Sequence, residues 1–159
     1  MSERIQALKA KLAESRAYLN RVLDAVGSSW DNAAFSDGAA WDVRQLLIHL
    51  ADADLGSNRQ LMGIAEGAEI IPENFDLERY NRRAVEKRAE MTVEEARASL
   101  EESRAALNIW LDALDDSALD RRGRHASMRI LSVGMILEIM ADHERTHADD
   151  IAAALGINI

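Results

Sequence analysis

Apolar residues recur three and four positions apart through most of the chain, the spacing of amphipathic helices. Ile5, Leu8, Leu12, Leu19, Val22 and Val26 form one stripe, and Gly27 follows where a helix over Glu3 to Val26 would stop. The stretch SSWDNAAFSDGAA then replaces the pattern with small and turn-forming residues and reads as a loop. Trp30 and Phe35 are placed to pin that loop to the body of the protein. A second helix starts at Asp42, an N-cap whose capping box is completed by Gln45, with Trp41 and Leu46 flanking it as a hydrophobic staple. It extends to about Glu66, before Gly67 and Pro72.

Phe75 to Met91 reads as a shorter, highly charged helix packed on the outside. Thr92 and Glu95 form a second capping box, followed by an inner face of Val93, Ala96, Leu100, Leu107, Trp110 and Leu114. DDSALDRRGRHAS reads as a loop. The last helix spans about Leu131 to Leu155, with Gly156 after it. Four long helices with single apolar stripes must bury those stripes against one another. The expectation is an all-α four-helix bundle, a single domain over residues 1–159, with an extra short helix between the second and third long ones. The single proline and the abundance of Ala, Leu, Glu and Arg agree with this. No low-complexity tract or internal repeat stands out.

Composition narrows the function. With 19 Lys and Arg against 28 Asp and Glu, the formal charge is −9. An acidic chain without a basic stripe lacks the phosphate-neutralising charge of a nucleic-acid binder. There is no cysteine, so disulfides, thiolate metal sites and cysteine nucleophiles are excluded. The polar N-terminus has no signal-peptide core. The apolar run from Ile130 to Ala141 contains Glu138 and is too short to span a bilayer. A soluble, cytoplasmic protein with no membrane partner is expected.

The inner stripe of the last helix reads Val133, Ile136, Met140, 143, 147, Ile151, and positions 143 and 147 carry histidine. Residues at i and i+4 project to the same place, so His143 and His147 have the spacing of a bidentate metal ligand. His49 sits beside Leu46, Leu50 and Ala53 on the second helix and also faces inward. It meets the pair if those two helices are antiparallel neighbours. His125, in the loop RRGRH, is expected to be exposed. Three core histidines could simply be packed and hydrogen-bonded. Three of the four histidines facing inward, two in register, favour a metal site over that alternative.

Three neutral imidazoles suit Zn²⁺, Ni²⁺, Co²⁺ or Fe²⁺ and leave coordination positions open, as in a catalytic site. Water or a thiol bound there would lose its proton near neutral pH. Residues 143–147 also spell HExxH, a pattern of zinc peptidases. Only twelve residues follow His147, however, and none is His or Glu, so the downstream third ligand of such enzymes is missing. Glu144 lies about 100° around the helix from His143; it is the candidate proton acceptor, with a carboxylate that supports the ligands from behind or a surface carboxylate as the alternatives. Asp52 and Asp142 could orient imidazoles, but solvated surface carboxylates are the simpler expectation for both.

WDVRQLLIHLADAD, followed some ninety residues later by MRILSVGMILEIMADHERTHADDI, resembles the DinB superfamily of metalloenzymes. The resemblance covers a Trp-led helix ending in His-Leu, a charged middle segment, and a final helix with HxxxH and an apolar residue four later, Ile151. It implies an up-down-down-up bundle holding a divalent metal, Zn or Ni, on His49, His143 and His147. It also implies homodimers, and relatives that use the metal to activate a low-molecular-weight thiol. Many relatives carry Gln three residues after the last histidine, where this chain has Asp150. The expected function is therefore a metal-dependent enzyme that activates a low-molecular-weight thiol or water against a small electrophile, of thiol transferase or isomerase type. The alternative is a non-catalytic metal-binding or dimeric scaffold bundle. A thiol carrying carboxylates would need cations, which Arg79, Arg82, Arg83 and Arg88, or Arg121, Arg122 and Arg124, could supply if they are not simply solvated.

Overall fold

The computed structural model describes residues 1–36 and 39–159. Five helices carry the fold: α1 Glu3–Asp24, α2 Val43–Ala65, α3 Leu77–Lys87, α4 Val93–Asp112 and α5 Val133–Leu155. Each starts where the sequence supplies a cap. Both expected capping boxes form, with the Asp42 carboxylate accepting from Gln45 N–H at 2.7 Å and the Thr92 hydroxyl accepting from Glu95 N–H at 3.1 Å. Ser132 caps α5, and the left-handed Gly156 ends it. The short α3 buries only Ala84 and Val85 and lies outside the bundle, as its charge pattern predicts.

The core divides into two ends. One holds Leu19 to Val26 of α1, Val43 to Ala51 of α2, Ala96 and Leu100 of α4, and Ala148 to Ala152 of α5. The other holds Ile5 and Leu12, Leu61 to Ala65, Leu107 and Leu111, and Val133 to Ala141. Thus α1 and α5 run one way while α2 and α4 run the other, an up-down-down-up bundle. Chief packing pairs are α1 with α5 and α2 with α4, and α2 also lies against α5. The antiparallel α2–α5 contact is the one His49 requires to reach the other two histidines.

Two segments expected as loops are more ordered than that. Ala33–Ser36 (β1) pairs antiparallel with Ala39–Asp42 (β2), and Arg122–Arg124 (β3) with Ile130–Ser132 (β4). Each follows a short 3₁₀ turn and leads directly into a helix, so α5 begins at Val133 rather than Leu131. Equivalent bonds close the two: Val43 N–H donates to Asn32 C=O (3.0 Å) and Val133 N–H to Arg121 C=O (2.9 Å). Strands of three or four residues are too short to show alternation, which is why the sequence conceals them. The Trp30 ring packs on the core as expected; the Phe35 side chain lies outside the described residues.

The order helix, 3₁₀ turn, hairpin, helix therefore occurs twice. Between the halves lies a buried charge cluster with the same symmetry. On α1, Ser15 Oγ shares its one proton between Glu144 and Leu12 C=O; on α4, Ser103 Oγ does the same between Asp54 and Leu100 C=O. Arg16 donates to Leu100 C=O and Arg104 to Leu12 C=O, each at 2.9 Å. Arg16 Nε pairs with Glu144 at 2.7 Å, and Arg104 reaches Asp54 at 3.4 Å. LAESRAYL (12–19) and LEESRAAL (100–107) are thus a repeat that the sequence contains and that its eight-residue length hides.

Two guanidinium and two carboxylate groups cancel in charge, so the cluster can sit in the interior. Removing one partner strands a charge. Arg16→Met is expected to lower stability by about 3–5 kcal/mol. Adding Glu144→Leu should recover part of that, because Arg104 and Asp54 remain a balanced pair. Urea unfolding of the single and double variants checks this.

Candidate metal centre

His49 lies two turns into α2, and His143 and His147 lie about the middle of α5. Their Nε2 atoms converge: His49 to His143 is 3.3 Å and His143 to His147 is 2.9 Å. One ligand atom from each lies within 4.8 Å of the others. A tetrahedral ion with bonds of about 2.05 Å holds its nitrogens about 3.3 Å apart, so the donor set has the span a small divalent cation needs. His147 is fully buried and His49 is 3% exposed, while His143 is the outermost.

Neighbouring groups fix the rings. Trp41, at the end of β2, lies 4.9 Å from the His49 ring centroid, so the staple residue also packs against a ligand candidate. Asp150 Oδ2 lies 3.2 Å from His147 Nδ1. That contact places the proton on Nδ1 and turns the Nε2 lone pair toward His143, the carboxylate–histidine arrangement common behind metal ligands. Burial, and then His147, push the His49 pKa down to about 3. His143 is likewise held well below the ordinary histidine value by burial and by His147, His49 and His125. Both are neutral at pH 7, the form that ligates.

Two cavities open onto His49 and His143. One, of about 280 Å³, is lined by Ile70, Ile71, Phe75, Tyr80, Arg59 and His125 among others. The other, of about 500 Å³, is lined by Trp41, Leu77, Asn81 and Arg82. Leu77 and Asn81 of α3 face both, so this outer helix divides the mouth of the site. Ile70, Leu77 and Tyr80 are among the most exposed large apolar residues and give the mouth an apolar rim.

The other candidates fall elsewhere. Glu144 is 4% exposed, and its two oxygens accept from Arg16 and Ser15. It lines neither cavity at the histidines' open side. Asp142 is exposed and pairs with Lys11 at 3.0 Å, as a surface carboxylate should. Asp52, expected at the surface, is instead 5% exposed and pairs with Arg88 at 3.1 Å. Of the arginines, Arg82 and Arg59 border the cavities, while Arg121 and Arg124 bond to Ala65 C=O and Ile71 C=O and tie the region of the second hairpin to the end of α2 and the segment that follows it.

His125 is a second residue, after Asp52, that sequence reasoning placed wrongly. It is not a free loop side chain but is partly buried against the first cavity, with His143 as a neighbour. Only the tertiary fold of the β3–β4 turn brings it there, and the sequence carries no signal of that.

A model of the DinB superfamily matches residues 11–151, so the chain belongs to that family. It is 27% identical, over 97% of its length and 88% of the relative's, to an Oceanobacillus iheyensis protein named "putative metal-dependent hydrolase". Its fold matches that of Bacillus subtilis YfiT, described as a probable metal-dependent hydrolase with an unusual four-helix bundle topology. That match has a TM-score of 0.75 at 22% identity and covers 99% of this chain and 91% of YfiT. It also matches a mycothiol-dependent maleylpyruvate isomerase, with a TM-score of 0.76 at 16% identity over 95% of this chain. The chain spans 63% of that longer protein. Among the described residues, no helix is long and apolar enough to cross a membrane.

Burial raises the Asp52 pKa above the usual carboxylate value, outweighing Arg88 and Arg59. The folded state then binds the proton more tightly than the unfolded one, so this group's contribution to stability falls as pH rises past about 3.9. Asp52→Asn should therefore stabilise the protein at pH 7, with the gain shrinking toward pH 4. Urea midpoints at the two pH values check this.

Proposed function

We propose that this DinB-superfamily chain is a metal-dependent enzyme whose His49, His143 and His147 hold one divalent cation, Zn²⁺ or Ni²⁺. The observation that carries the proposal is the convergence of three imidazole Nε2 atoms, two of whose residues, His49 and His143, line a pair of cavities. With three protein ligands, such a cation keeps a position for substrate and lowers the pKa of a thiol or water placed there.

The chain's own groups do the rest. Trp41 and Asp150 hold the rings of His49 and His147 in register. The apolar rim of Ile70, Leu77 and Tyr80 favours a small apolar electrophile and excludes water from around it. Arg82 and Arg59 offer positive charge to a carboxylate-bearing thiol. In a transfer, an S–C bond would form as a leaving group departs with its electron pair, the thiol proton passing to solvent through the open cleft. In an isomerisation, the S–C bond would form as a π bond takes up the electron pair, and after rotation about the resulting single bond it would break again, re-forming the π bond and releasing the thiol. Water in the same position makes the protein a hydrolase, the activity in the name of the Oceanobacillus relative. We assign Glu144 a positioning role, because both its oxygens are already engaged by Arg16 and Ser15.

The competing view is a metal-free bundle, favoured by the 2.9 Å His143–His147 contact, which an N–H···N hydrogen bond would also produce. Elemental analysis of protein purified without a His tag decides between them. The proposal expects about one metal per chain, lost in a His143→Ala, His147→Ala double variant, and chelator-sensitive turnover of a small thiol with a model electrophile or of water with an ester. No metal in the wild type, even after adding Zn²⁺ or Ni²⁺, would leave the metal-free bundle. Asp150→Ala should weaken metal binding by about tenfold or more, read by competition with a chromogenic chelator.

A further inference from the structure

His125 has a defined tautomer. The Ser127 backbone N–H donates to its Nδ1 at 3.1 Å, and the Ser127 hydroxyl lies 2.8 Å from the same atom. That hydroxyl oxygen accepts from Arg129 N–H at 3.5 Å, so its own proton is free to point at Nδ1. Nδ1 is therefore the acceptor, and in the neutral ring the proton sits on Nε2. The loop bonds engage Nδ1 alone, and His125 lines the cavity that also exposes His49 and His143. Among the described residues, Nε2 makes no hydrogen bond.

The loop that presents this group is built rather than slack. His125 N–H donates to Arg129 C=O at 2.9 Å, and Met128 N–H to His125 C=O at 2.8 Å, with Met128 in the left-handed region. Gln60 of α2 accepts from Ala126 N–H at 3.0 Å, and Arg124 donates to Ile71 C=O at 3.1 Å. Gly123 allows β3 to press on Ile64, where a Cβ would come within 2.7 Å of that side chain. These bonds hold the imidazole at a fixed place on the cavity wall. Burial and Arg129 lower its pKa, so it is neutral at pH 7 and offers an N–H without a charge.

We propose that His125 is a substrate-binding residue whose Nε2–H donates to a carbonyl or carboxylate oxygen of a small apolar substrate. Ile70, Ile71, Phe75 and Tyr80 form the apolar part of the same cavity. The substrate class is thus an apolar body carrying an acceptor oxygen on an sp² carbon, its oxygen near His125 and its reacting atom near His143. A neutral N–H fixed before binding also stabilises charge that develops on such an oxygen. This assignment deepens the metal-enzyme proposal but does not depend on which metal is held.

The probe is benzoate, titrated into zinc-loaded and metal-free protein and followed by NMR, with zinc affinity measured separately for each variant. His125→Phe keeps the ring volume and removes the N–H; His125→Gln keeps an N–H donor. Benzoate should bind the wild type, bind His125→Phe about tenfold or more weakly, and bind His125→Gln within about threefold of wild type. Zinc affinity should be the same in all three. ¹⁵N spectra should show His125 protonated on Nε2, with that resonance shifting as benzoate is added. Equal benzoate affinity in wild type and His125→Phe, or no binding to the wild type in either form, overturns the assignment. A wild type that takes no zinc overturns the metal reading alone, and the comparison on metal-free protein still decides the role of His125.

Discussion

The buried pairing of Arg16 and Arg104 with Glu144 and Asp54 constrains everything around it. Four charges in the interior are tolerable only if each guanidinium finds both a carboxylate and a backbone carbonyl. Here each arginine caps a carbonyl on the other arginine's helix, Arg16 on Leu100 and Arg104 on Leu12. That reciprocity fixes the rotation and height of α1 against α4. The carboxylates sit on α2 and α5, so the same cluster fixes those helices too. Asp54 is five residues after His49, and Glu144 adjoins His143. The register that neutralises the charges is thus the register that brings the three Nε2 atoms together.

The symmetry of the cluster makes the asymmetry of the metal centre informative. In the repeated plan, Asp54 of α2 corresponds to Glu144 of α5. By the same offset Ala53 and Ser57 stand where α5 carries His143 and His147. Those two residues, with Ile139, Asp54 and Glu144, line a cavity of about 40 Å³, and both also stand on the wall of the larger cavity beside His49 and His143. One half of the fold supplies an i, i+4 histidine pair and the other a single histidine, and α3 and the second hairpin then wall the open side. The site is a departure from the fold's internal symmetry, built on a scaffold that keeps it.

Much of this was legible in the sequence, for physical reasons. Helix boundaries followed from Asp42–Gln45, Thr92–Glu95 and Gly156, because capping is local chemistry. The inward facing of His49, His143 and His147 followed from the continuity of apolar stripes. What escaped depends on contacts between distant segments. Strands as short as Arg122–Arg124 have no period to detect. Glu144 looked like a base because it stands in HExxH, and only the fold shows Arg16 and Ser15 occupying it. Asp52 looked solvated until Arg88 was found over it. His125 could be placed only once its turn was seen anchored to Gln60.

The central claim is an open metal centre held by three histidines. X-ray absorption at the zinc edge of the zinc-loaded protein tests it most directly, because it counts imidazole ligands. Three imidazoles at about 2.0–2.1 Å, with the shell completed by non-protein light atoms, is the result expected. A shell closed by a fourth protein ligand, or one with fewer than three imidazoles, would contradict it.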